Sequence, residues 1–321
     1  MDISVIVPVY NVENYIERCL RSLFEQTKTN GVEFILVNDC TPDGSMAVAR
    51  RIIAEYPHLS VRIIEHPKNR HVAATRQTGI DAAIGEYTIQ IDSDDWCEPT
   101  MLEDMYTKAL EEDLDIVSCD YNERRGDVHQ NTLGDDKVER IEKMLTGNIH
   151  GSLCMRLIKK ELYTKNSIKI DLGVNILEDL LCVIQLYYFT DKISHIPYPY
   201  YQYMYNPTSI IRKWYTFTDE KQKAYDFLDS FFKRHNDDRF TKALRFSKIQ
   251  CKYHLVSCLL TKDTYGCMKL FPDTDSYIFS CERLSITAKV LMYSASRGWN
   301  WAVVLINKTR RLYHKLRGKA L

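Results

Sequence analysis

The chain has no C-x-x-C pair, no G-x-x-x-x-G-K-[ST] loop, no apolar run of membrane-spanning length and no excess of either charge. Each absence excludes something. Without a run of about 18 apolar residues, no transmembrane helix is expected. Lys plus Arg and Asp plus Glu both number 43, and a balanced charge argues against a nucleic-acid binder. The missing phosphate-binding loop argues against ATP hydrolysis. The 10 cysteines are scattered along a long chain, which suits reduced thiols better than a disulfide framework. Met1 to Pro8 lacks a basic n-region and breaks at Pro8, so it is not read as a signal peptide. The expected setting is cytoplasmic, at or near the inner face of a membrane.

What is present is a run of alternating strands and helices. Ile3–Val7, Glu33–Val37, Val61–Glu65, Glu86–Ile91 and Asp115–Cys119 read as buried strands. Between them lie helical patterns. The first, from Tyr15 to Phe24, has Asn11 as its expected cap. Others run from Ser45 to about Glu55, from Val72 to Ile84, and from Pro99 with Met101, Leu102, Met105 and Leu110 as apolar positions. Such alternation predicts a mostly parallel α/β sheet covered by helices on both faces. Ligands then bind beyond the carboxyl ends of the strands, where strand order switches. Tyr10, Asp39 and Asp92 to Asp95 all fall just past strand ends, so the fold brings them to one crevice.

Asp92-Ser93-Asp94-Asp95 is the most telling stretch. Three carboxylates within four residues repel one another and are costly to desolvate. A divalent cation among them would resolve this, and hard oxygen ligands suit magnesium or manganese, shared with substrate phosphates. Asp92 and Asp94, at i and i+2 on extended chain, point to the same side.

The chain resembles the family-2 glycosyltransferases of the GT-A fold over about residues 1–215. The resemblance rests on Val5-Ile6-Val7-Pro8-Val9-Tyr10-Asn11, on Val37 to Ser45 and on Asn69 to Gly79 with Arg76. It continues through Gly85-Glu86-Tyr87, Asp92-Ser93-Asp94-Asp95 and Pro99 to Glu178-Asp179. Departures from the family pattern are Asn38 for its usual Asp, Cys40 and His71 at positions that favour Gly, and Gln77 for Asn.

The resemblance implies a nucleotide-sugar donor, most readily a UDP-sugar, held by Pro8, Tyr10, Asp39, Arg76 and Asp92. Tyr10 would stack on the base and Asp39 would accept from a base N–H. Asp94 would ligate Mg2+ or Mn2+, with Asp92 sharing the metal or meeting the ribose. Asp179 would be the general base of an inverting transfer, its carboxyl raised above the ordinary value if partly buried. The acceptor would be a glycan or lipid-linked glycan in polysaccharide assembly. Tyr201 or Tyr203, within the tyrosine-rich stretch from Tyr198 to Tyr205, could meet it.

Three regions are expected: a nucleotide-sugar half over 1–120, an acceptor half with the base over 121–215, and a helical extension over 216–321. After Glu282 there are nine Lys or Arg and no acidic residue. Trp299, Ala302, Val303, Ile306, Tyr313 and Leu316 fall on one helical face, which suits peripheral contact with an anionic membrane or packing on the domain. The rival readings are a catalytically inactive nucleotide- or glycan-binding module and a nucleotidyltransferase. The latter would want a Gly-rich loop after the first strand, where Pro8-Val9-Tyr10-Asn11 stands.

Overall fold

The computed structural model describes residues 1–123, 128–130, 133–204, 206, 218–258 and 264–316. The chain divides into two compact units, Met1–Thr208 and Ser209–Leu321.

The first unit is built on one nine-stranded sheet. Its first half is parallel. Strands β1 (Ile3–Val9), β2 (Val32–Asn38), β3 (Ser60–Glu65) and β4 (Tyr87–Gln90) lie in the order β3-β2-β1-β4. The register places Val9 beside Asn38 and Ile6 beside Gln90, so three strands end at one edge. The order reverses between β1 and β4, and that switch opens a crevice at their carboxyl ends.

Helices α1 (Ile16–Phe24), α2 (Ser45–Glu55), α3 (His71–Ala82) and α4 (Met101–Glu111) connect these strands and lead on. Helix α1 buries Ile16, Cys19, Leu20, Leu23 and Phe24 against alternate residues of β1, a cluster that includes Val5, Val7 and Val9. Removing each large apolar side chain from water stabilises the fold by about 1.5–3 kcal/mol before entropy is counted. On the other face α3 lies very close to the sheet. A Cβ at Gly79 would come within 2.2 Å of the Ile6 side chain, so this helix can sit where it does only with glycine there.

The second half of the sheet is mixed. Strands β5 (Trp96–Cys97), β6 (Ile116–Glu123), β7 (Val128–His129), β8 (Arg156–Lys159) and β9 (Ile193–Tyr203) extend it from β4 in the order β8-β6-β9-β5, with β7 beside β6. Strand β8 runs antiparallel to both β4 and β6, whereas β9 runs parallel to β6. The antiparallel insertion β8 is not among the strands expected from sequence, since four residues carry too little alternation to declare one. Helices α5 (Lys137–Leu145), α6 (Lys160–Lys165) and α7 (Glu178–Phe189) complete the unit. Helix α5 is capped by Asp136 onto the Glu139 amide.

Two local expectations are corrected. Asn11 does not cap α1. Its φ is 55°, and Tyr15 stands at the helix start without a side-chain cap. Leu110 is exposed, and Ala109 takes the buried place beside Met105.

The second unit is helical among its described residues. Helices α8 (Thr218–Arg234), α9 (Thr241–Cys258), α10 (Thr264–Met268), α11 (Ile286–Ser296) and α12 (Asn300–Leu316) surround a core that includes Leu228, Phe232, Leu255, Leu291 and Val303. Lys252 is wholly buried there, with Nζ donating to Phe271 O at 2.9 Å and Asp275 Oδ1 at 2.5 Å.

Candidate active site

The loops after β1 and β2 form one connected rim. Thr41 Oγ1 accepts from the Asn11 amide at 2.8 Å, and Ser45 Oγ accepts from the Val12 amide at 3.0 Å. The Asp43 carboxylate gathers the Glu13 amide, the Thr41 hydroxyl and both polar groups of Ser45. These bonds fix two loops that tertiary structure alone brings together. Asn11 and Cys40 on the rim, and His71 at the start of α3, all have left-handed backbone, with φ of 55°, 56° and 67°. Such conformations cost free energy for any residue with a Cβ and persist only where surrounding contacts impose them.

Asp39 is buried at the end of β2. Its Oδ1 accepts from the Arg70 amide at 2.8 Å and meets His66 Nδ1 at 2.8 Å, while His66 Nε2 lies 3.0 Å from Thr78 Oγ1. Asp39 is therefore a rigidly held acceptor whose Oδ2 has no hydrogen bond among the described residues. Pro8 is half-buried near the end of β1. Tyr10, just beyond it, leaves 47% of its surface exposed.

Arg76 lies at the centre of the site. The close approach of α3 permitted by Gly79 carries Arg76 to the carboxyl edge of the sheet, where it is 4% exposed. Its Nη2 donates to Asp92 Oδ1 at 2.7 Å, and its Nη1 donates to Glu178 Oε1 at 2.8 Å and to Asp179 Oδ1. One guanidinium thus ties the loop after β4 to the first turn of α7. Three buried or half-buried acids around one cation cannot all ionise cheaply. Burial, and then the charge of Asp179, push the Glu178 carboxyl up to about 8. Burial also raises Asp179, with Arg76 pulling the other way. Burial and the neighbouring acid thus favour the protonated form of Glu178, while Arg76 favours the ionised form of Asp179. The second Asp179 oxygen is approached by the Leu153 amide at 3.5 Å. The backbone just before that amide is braced by Arg156, wholly buried on β8, which donates to the carbonyls of His150 and Ser152 and to the Tyr187 hydroxyl.

Asp94 and Asp95 are held differently. Antiparallel pairing of β5 with β9 sets Cys97 beside Tyr201. Asp95, 1% exposed, accepts from the Tyr201 hydroxyl at 2.5 Å and the Met204 amide at 2.7 Å. Asp94 Oδ2 accepts from Asn206 Nδ2 at 2.8 Å. Burial, and then neighbouring aspartates, raise both carboxyls, Asp95 the further. Among the described residues no Lys, Arg or His side chain pairs with either. Tyr201 is thus a buried partner of Asp95 and not an exposed sugar platform, whereas Tyr198 is half exposed.

All the acids singled out from sequence lie at this edge of the sheet, but not as one cluster. Asp92 and Asp179 meet through Arg76, Asp94 lies toward Asn206, and Asp39 sits apart with His66. Sequence reading missed His66, Arg156, Tyr201 as a carboxylate partner, and Asn206. Only His66 carried a usable signal, since it stands one residue past a strand end.

The helix-covered sheet with its crevice at the switch point is a GT-A-type fold. The family model for "Glycosyl transferase family 2" matches residues 4–166. The chain belongs to that family, and it is a glycosyltransferase. EpsH of Bacillus subtilis (strain 168), itself assigned only provisionally as a glycosyltransferase, is 29% identical over 283 residues, covering 84% of this chain and 80% of that one. Among solved structures, S. aureus TarS 1–349 in complex with UDP-GlcNAc superposes with a TM-score of 0.61 at 18% identity, over 99% of this chain and 93% of that one. A mannosyltransferase from Pyrobaculum calidifontis, in complex with GDP-Man and Mn2+, gives a TM-score of 0.56 at 16% identity, over 98% and 87%.

Proposed function

We propose that the chain transfers a sugar, with inversion, from a nucleotide sugar to a glycan acceptor, and that the acceptor is lipid-linked and met at a membrane surface during polysaccharide assembly. A UDP-sugar is the favoured donor, as in the TarS complex. One observation carries the reading: a single guanidinium, Arg76, binds both the acid after β4 and the acid suited to be the base.

In this mechanism Asp39, steadied by the Arg70 amide and His66, accepts from the base N–H through its unpaired oxygen. The exposed Tyr10 ring covers the base beside Pro8. Asp179 takes the acceptor hydroxyl proton as that oxygen bonds to the anomeric carbon. The bond from the anomeric carbon to the diphosphate oxygen breaks, and the nucleoside diphosphate leaves. Arg76 orients Asp179 and favours its ionised form beside Glu178, whose carboxyl burial raises.

The donor set near Asp94 fits a divalent cation. Two carboxylates two residues apart, one of them burdened by burial and without a paired cation among the described residues, are hard ligands for Mg2+ or Mn2+. Among the described residues no group of three or more His, Cys, Asp or Glu could hold a metal, so Asp92 and Asp94 would provide a partial shell completed by donor phosphates. When bound, such an ion would neutralise charge on the departing diphosphate.

The test is a panel of nucleotide sugars with manganese or magnesium, scored by donor hydrolysis and thermal shift. Turnover and a metal-dependent shift with one donor class are expected. Silence with every donor would favour a binding module instead.

A further inference from the structure

Helix α11 turns an apolar line outward. Ile286, Val290 and Tyr293 follow one another at steps of four and three residues, so they share one face, and Ile286 is 81% exposed. Lys289 and Arg297 occupy the same face, which carries no acid. After the turn at Gly298, α12 does likewise. Trp301, 72% exposed, and Leu305, 56% exposed, lie one helical turn apart, opposite the face that buries Ala302 and Val303. The half-exposed Trp299 joins the two, its ring 5.9 Å from that of Tyr293.

The apolar stripe that sequence periodicity assigns to α12 is therefore largely the packed one. Ala302 and Val303 are buried and Ile306 half-buried, while Tyr313 and Leu316 fall outside the described side chains. The exposed stripe is a second one, which periodicity also permits but does not single out. Contiguous apolar side chains left in water mark a binding surface. The charges around them say for what. Every Lys or Arg after Glu282 is uncompensated by an acid within that stretch. Two copies of such a face would repel each other, and an acidic surface would attract it. Trp and Tyr rings suit the boundary between headgroups and hydrocarbon. No helix among the described residues is long and apolar enough to cross a membrane, so contact would be peripheral.

We infer that the outward faces of α11 and α12 dock the protein onto a bilayer rich in anionic phospholipid, with Ile286, Val290, Trp301 and Leu305 entering the interface and Lys289, Arg297 and Lys308 meeting headgroups. The inference deepens the reading of a membrane-borne acceptor. Its test needs neither donor nor acceptor, so the two can fail separately.

The full-length protein is sedimented with vesicles of phosphatidylcholine alone and of phosphatidylcholine with phosphatidylglycerol. Binding to the anionic vesicles is expected, with partitioning falling about tenfold or more in the double variant Ile286→Glu, Trp301→Glu. A milder variant, Lys289→Gln with Arg297→Gln, should lose the preference for anionic vesicles while folding normally by circular dichroism. Donor hydrolysis should be unchanged in both. Failure of the wild-type protein to bind anionic vesicles, equal binding to neutral ones, or undiminished binding by the glutamate variant would overturn the proposal. So would a dimer in sedimentation velocity that the glutamate variant abolishes, since the face would then serve self-association.

Discussion

The site contains two groups of acids that the fold treats in opposite ways. Asp92, Glu178 and Asp179 surround a cation that the protein supplies, the buried Arg76. Asp94 and Asp95 are also withdrawn from water, yet among the described residues they receive only uncharged donors: an amide side chain, a hydroxyl and a backbone N–H. A buried carboxylate without a counter-charge is costly. The first group thus has a protein cation at its centre, while the second has none paired to it among the described residues. That difference is what the proposed roles rest on: proton transfer at Asp179 and cation binding at Asp94, with Asp92 between the two.

The sharpest way to break this comparison is Asp179→Asn. If Asp179 is the base, turnover should fall about 10²–10⁴-fold, the usual contribution of general base catalysis. Donor affinity by calorimetry should stay within a few fold, because Asp39 and the rim loops are untouched. Near-normal turnover would move the base elsewhere.

Arg76→Met tests the balance directly. It leaves Asp92 and Asp179 facing each other without their cation. Removing one partner from a buried ion pair typically costs about 3–5 kcal/mol. Chemical denaturation should register a loss of that size, and turnover should fall with it. Asp94→Asn is expected to act in the other direction on stability. Replacing a carboxylate strained by burial with a neutral amide should stabilise the donor-free protein by about 1 kcal/mol. The same variant should lose any thermal shift that manganese adds in the presence of nucleotide. A destabilised Asp94→Asn protein would mean that Asp94 already has its counter-charge.

The two groups also differ in how legible they were. The parallel half announces itself, because β1 and β2 are mostly apolar, β1, β2 and β4 are followed within two residues by Asn11, Asp39 and Asp92, and the crevice follows from strand order. Asp39, Asp92 and Asp179 could be named from those ends and from the motif resemblance. The partners could not. Arg76 meets Glu178 across 102 residues, and Tyr201 meets Asp95 across 106. Both contacts depend on the mixed half of the sheet, where β5, β7 and β8 are two to four residues long and leave almost no periodic trace. Cys40 and His71 show the converse. The family pattern favours Gly at both, and the backbone explains why, since φ is 56° and 67° there. The sequence departs from the pattern while the conformation keeps it.

The finest test concerns Glu178, whose identity as an acid should matter little at neutral pH. Its folded carboxyl titrates near 8, above the ordinary value of about 4.3 for an unfolded glutamate. Between these values the folded protein binds the proton more tightly than the unfolded chain. Stability from this residue is therefore complete below about 4 and declines as pH rises toward 8. Glu178→Gln mimics the protonated form and still fills the same space beside Arg76. It should keep turnover at pH 7 within about threefold and flatten the fall of stability across that window, as read from denaturation midpoints at successive pH values. A hundredfold loss of turnover, or a pH slope identical to that of the wild-type protein, would show that Glu178 works as an anion. The proton would then rest on Asp179, and the roles of the two neighbours would be exchanged.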